Sequence, residues 1–82
     1  MTDYRYKPAV LGRLAAHGIV PRPFTPPELI RDFLNDLYRY ELRRLRDRLR
    51  TKQMEKQEYY HRVVDIRLRY PLLSLKMWEW TE

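Results

Sequence analysis

The chain has 82 residues, 44% of them hydrophobic, no cysteine, and a formal net charge of +6. That length bounds it to one small domain that buries roughly 60–65% of its unfolded surface. Missing cysteines exclude disulfides and thiolate zinc as sources of extra stability, which leaves oligomerisation or a partner subunit as the remaining common one.

The first predicted element is a short helix over 8–17, in KPAVLGRLAAHGIV. Pro8 suits the first helical position, where its missing N–H would be unpaired anyway. Val10, Leu11, Leu14 and Ala15 share a face. Gly18 supplies a left-handed cap with Ile19 folding back over it, and His17 in the last turn suits the helix dipole.

Residues 19–25 form a proline-rich connector with polyproline character. Its Pro23-to-Pro26 spacing is read as structural rather than as a P-x-x-P ligand. Thr25, Pro26, Pro27 and Glu28 make a T-x-x-E capping box with proline at the first helical position, and Phe24 with Leu29 is placed to form a hydrophobic staple. A helix is therefore predicted over 26–50. Glu28 and Asp32 lie near its start and arginines toward its end, as the macrodipole prefers.

No glycine or proline interrupts Leu29 to Tyr70, yet one straight helix of that length cannot bury its own apolar stripe. The polar stretch RTKQMEKQ marks a turn near 51–55, with Thr51 as cap for a further helix over 54–69. Tyr70-Pro71 ends it, since the residue before proline avoids helical geometry. The tail 71–82 alternates Leu73, Leu75 and Met77 with polar residues, as an edge strand or extended arm would. Trp78 and Trp80 are expected to pack on the hairpin or on a partner.

At about 100° per residue, Tyr38, Leu42, Leu45 and Leu49 form an apolar seam, extended backward by Ile30, Leu34 and Leu37. Tyr59, Val63, Ile66 and Tyr70 form a matching seam on the other helix. The expected fold is thus all-α: a short N-terminal helix, a proline-rich connector, a long antiparallel helical hairpin and an extended aromatic tail. Glu41 projects into the apolar face and needs Arg44, Arg48, Arg62 or Arg67 as partner.

Residues 39–52 carry seven of the chain's cations against Glu41 and Asp47, while everything else nets only +1. Arg39, Arg43, Arg46 and Arg50 repeat the seam spacing around the helix, and Arg44 with Arg48 occupies the other flank. Lining an apolar seam explains this pattern. The alternative is a nucleic-acid face, but helix-turn-helix, RNA-recognition and zinc-finger signatures are absent. The excess of arginine over lysine, 13 to 4, suits GC-rich, bacterial-like coding.

No enzyme is expected. There is one serine, no glycine-rich phosphate loop, and no assembled nucleophilic set. Glu58, His61 and Asp65 share a side at i, i+3 and i+7, but a single such element reads as a solvated face. No cofactor or metal site is assigned. A narrow leucine stripe without tryptophan argues against a membrane surface, and no apolar run has the length of a signal peptide or bilayer span, so a cytoplasmic protein is expected.

The surplus apolar residues point to docking. Phe33, Leu37 and Tyr40 turn away from the main seam of the long helix, Tyr60 turns away from that of the other, and Trp78 and Trp80 sit in the tail. These are the expected contacts of a protein partner or homo-oligomer.

Overall fold

The computed structural model describes residues 3–82, so the first two positions of the expected single domain 1–82 lie outside the described residues. Three helices follow one another: α1 (Pro8–Ala15), α2 (Pro27–Arg50) and α3 (Lys56–Leu68). Two 3-10 turns close the chain, at Pro71–Ser74 and Met77–Glu79. There is no strand among the described residues, only an antiparallel bridge between Tyr6 and Thr81. The fold is all-α with a helical hairpin.

Backbone geometry accounts for each boundary. At the end of α1 the Ile19 N–H donates to the Leu14 carbonyl at 2.9 Å and the Gly18 N–H to the Ala15 carbonyl at 2.9 Å. Gly18 takes φ 74°, so the predicted left-handed cap forms. His17 does more than favour the dipole of its own helix. Its ring stacks on Tyr70 at 4.7 Å and 25°, and its Nε2 donates to the Arg69 carbonyl oxygen at 2.7 Å. The end of α1 is thereby fastened to the end of α3.

The predicted capping box does not form. Pro26 precedes another proline and is therefore held extended, at φ −65° and ψ 134°, which delays the helix to Pro27. No side chain caps α2; the Thr25 hydroxyl turns back and accepts the Arg22 N–H at 3.1 Å. The staple fails as well, because Phe24 and Leu29 are both exposed while Pro27 is buried.

The turn lies at 51–55 as expected, but Thr51 serves the helix before it rather than the one after. Its hydroxyl reaches the Asp47 carbonyl at 3.0 Å and the Arg48 carbonyl at 3.2 Å. The Gln53 N–H donates to Arg48 at 2.9 Å and the Lys52 N–H to Leu49 at 3.1 Å. Lys52 occupies the left-handed position at φ 59°, where glycine is usual. Met54 is buried beneath the turn, so α3 starts at Lys56 rather than at 54.

Antiparallel packing then divides α2 in two. At ~1.5 Å per residue α2 is about 36 Å long and α3 about 20 Å. The Tyr38 ring meets Tyr70 edge-on at 5.4 Å, which marks how far back α3 reaches. All eight predicted seam residues, Tyr38, Leu42, Leu45 and Leu49 with Tyr59, Val63, Ile66 and Tyr70, are buried or half-buried in one cluster. Ile30 and Leu34, on the first half of α2, share that cluster with Val10, Leu14, Leu72 and Trp80. The tail is thus neither arm nor edge strand. It folds back through its two 3-10 turns, and the Lys7 N–H donates to the Trp80 carbonyl at 3.0 Å and the Glu82 N–H to the Arg5 carbonyl at 2.8 Å.

The outcome is a rod measuring 51 × 20 × 18 Å. Its radius of gyration is 15.3 Å, against about 12 Å for a compact chain of this length. Among the described residues no helix is long and apolar enough to cross a membrane.

Candidate partner-binding faces

Helix α2 presents three unlike sides. One carries the seam. A second carries Leu29, Phe33 and Tyr40, which are 62%, 52% and 55% exposed. Their spacing of four and then seven residues keeps them within one narrow sector of the helix. The Arg44 guanidinium sits 5.8 Å from the Tyr40 ring centre, within range of a cation–π contact. Asp32 and Asp36 border the sector toward the helix start and Arg39 and Arg43 toward its end, all four exposed. Leu37, expected both as a backward extension of the seam and as an outward contact, is half-buried against the core, as the seam requires.

Helix α3 repeats the pattern: Tyr60, Val64 and Leu68 point outward at i, i+4 and i+8, opposite in role to its seam. Tyr60 also meets Tyr59 edge-on at 5.7 Å.

The two tryptophans separate completely. Trp78 is 69% exposed, whereas Trp80 is 0% exposed. Trp80 therefore belongs to the protein's own core and is withdrawn from any partner. Of the expected contacts, Phe33, Tyr40, Tyr60 and Trp78 stand open, Leu37 is half covered and Trp80 is closed. Val20 and Phe24 are further exposed apolar residues that the pattern did not single out, because the connector has no periodicity to read.

The third side of α2 holds arginines. Arg39, Arg43 and Arg46 line a groove of about 410 Å3 between α2 and α3, together with Leu42, Tyr59, Val63 and Arg67. Arg50 lies outside it. Arg67, one of the four expected partners of Glu41, faces the opposite flank. The groove on that other flank mixes charges: Glu41 and Asp65 with Arg44, Arg48, Arg62 and Arg69. There Glu41 pairs with Arg69 Nη1 at 3.3 Å, a partner not among the four expected. Arg69 follows the last turn of α3, where the chain bends toward Pro71 and brings its side chain across the seam. Glu41 Oε2 is buried without a hydrogen-bond partner.

Two tyrosines hold unusual protons. Burial, reinforced by Glu28, pushes the Tyr6 phenol up to about 12, and its hydroxyl donates to the Thr25 carbonyl at 2.5 Å. Burial also pushes Tyr70 up to about 12, with Glu41 beside it adding to the effect and Arg69 opposing it. Tyr6 ties the N-terminal segment to the connector, while Tyr70 lines a groove of about 410 Å3 with Arg13, His17 and Glu41. Glu58 is drawn into a pair with Arg62 at 3.5 Å, and no group of three potential metal ligands occurs among the described residues.

No protein-family model, curated protein or solved structure matches this chain.

Proposed function

We propose that the chain is a small, non-catalytic helical subunit that works by docking, and that the occupant of its α2 docking side is a second copy of itself. The observation that carries this reading is the surplus surface. The chain exposes 6486 Å2, against about 5400 Å2 for a compact monomer of its mass. The excess, roughly 1100 Å2, is more than the ~800 Å2 that each partner buries in a standard interface.

Self-pairing is supported by charge. The Leu29–Phe33–Tyr40 side has acids bordering its first half and arginines bordering its second. Two such helices packed antiparallel bring like flanks together, so acids meet arginines at both ends. Setting Phe33 opposite Tyr40 of the second copy places Asp32 beside its Arg43 and Asp36 beside its Arg39. A parallel pairing would instead put these flanks on opposite sides of the contact, so Asp32 and Asp36 would not meet Arg39 and Arg43.

The absence of cysteine makes the register directly testable. Phe33→Cys and Tyr40→Cys chains, mixed and treated with a short bismaleimide, should cross-link with each other more than either does with itself. Val64→Cys on α3 serves as the control and should give little product. Equal yields from all combinations would overturn the arrangement, and coupling only to a different protein would assign the face to a larger partner.

A further inference from the structure

We propose that the arginine groove between α2 and α3 binds the phosphodiester backbone of a single nucleic-acid strand, a role distinct from docking through Phe33 and Tyr40 although Arg39 and Arg43 border both sites. Arg39, Arg43, Arg46 and Arg67 converge there from two helices, and no carboxylate lines the groove. The described residues contain two ion pairs, Glu58–Arg62 and Glu41–Arg69, and neither uses any of these four side chains. All four are exposed, so their guanidinium groups are free to meet an anion that enters the groove.

The dimensions suit a strand. From Arg39 to Arg46 the helix rises about 10 Å at ~1.5 Å per residue, enough to follow a short length of strand. Arg67 stands across the groove on α3, so the charges form two walls rather than one ridge. A single backbone can follow the surface groove above the packed seam, whereas a stiff duplex meets chiefly its rims. A flat lipid surface likewise meets only those rims.

Aromatic residues supply the second half of the site. Tyr59 lines the groove, and Tyr60, packed edge-on against it, is 61% exposed. Tyr60 and Arg67 lie seven residues apart and hence on the same side of α3. Unstacked bases find a platform there while phosphates meet guanidinium groups, the combination that sequence-tolerant strand binders use. Tyr60 is also among the exposed partner-binding residues, and its place beside Arg67 gives it this second use.

The test is fluorescence polarisation of a labelled 20-nucleotide single strand of mixed sequence across a salt series. With four phosphate contacts, log affinity should fall against log salt with a slope of about −2.8. Arg46→Gln/Arg67→Gln should halve that slope and weaken binding about 25-fold at 0.1 M salt. Both side chains are exposed, so helix content and melting temperature should stay as in the parent chain, which separates lost contacts from lost folding. Phe33→Glu should disrupt self-association and, by releasing Arg39 and Arg43 from the second copy's acids, leave strand binding as tight or tighter, so failure of one proposal is distinguishable from failure of the other. No binding at low salt, a slope indifferent to Arg46→Gln/Arg67→Gln, or tighter capture of duplex DNA, anionic vesicles or polyglutamate would overturn the assignment.

Discussion

Trp80→Ala should come close to unfolding the protein, although the residue is third from the chain end. Its side chain is fully enclosed, in the cluster that joins α1, the first half of α2 and the tail. Removing a buried tryptophan side chain typically costs about 3–5 kcal/mol. A domain of this size has only about 4–12 kcal/mol in total. At roughly 4–8 °C per kcal/mol for a small domain, the melting temperature should drop by at least about 12 °C. Trp78→Ala, two residues away and 69% exposed, should shift it by no more than a few degrees. Thermal unfolding followed by far-UV circular dichroism, at one fixed protein concentration, reads both variants. Equal melting temperatures for the two would refute the placement of the tail. Trp80→Phe should fall between parent and alanine variant, because the smaller ring leaves a gap but also removes an indole N–H that is buried without a partner.

Other consequences follow from single positions. Lys52→Gly should stabilise the chain by about 0.5–1 kcal/mol, measured by urea unfolding, because it relieves a left-handed lysine at φ 59° whose strain outweighs the entropy glycine adds to the unfolded state. Gly18→Ala should do the reverse, costing about 1 kcal/mol; a Cβ there meets nothing within 4 Å, so the cost is conformational alone. Tyr6 and Tyr70 both hold their protons to about 12 when folded, against 10 as free phenols. Their contribution is therefore complete below about pH 10, declines as the unfolded chain ionises, and is lost as pH rises through about 12. A melting series from pH 9 to 12 should show that decline, and ultraviolet titration should find two late-ionising phenols among the seven tyrosines.

The helical plan was legible because its signals are local. Pro8 and Gly18 bracket α1, Tyr70-Pro71 stops α3, and the polar break at 51–55 marks the turn even without glycine. The seam residues followed from periodicity, and all of them pack as expected. What escaped depends on how distant segments meet. Trp78 and Trp80 look alike in sequence, and the 3-10 turn between Met77 and Glu79 alone decides which one enters the core. Thr25 carried a capping signal that consecutive prolines override. Glu41 found Arg69 rather than Arg44 or Arg48 on its own helix or Arg62 or Arg67 on the facing one, since the rotation of α3 about the seam is a tertiary quantity. That same rotation carries Arg67 into the groove with Arg39, Arg43 and Arg46, and leaves Arg50 beyond it. The exposed sector of Leu29, Phe33 and Tyr40 was readable as surplus apolar surface, and its self-complementary border emerges only when acids and arginines are placed along one straight helix.

Sedimentation equilibrium of the full chain in moderate salt tests the docking account most directly. A self-docking chain should show a concentration-dependent mass approaching twice the 10.3 kDa of one chain, returning to the single-chain value with Phe33→Glu/Tyr40→Glu while helix content is retained. A parent chain that stays at 10.3 kDa across the whole concentration range would contradict it.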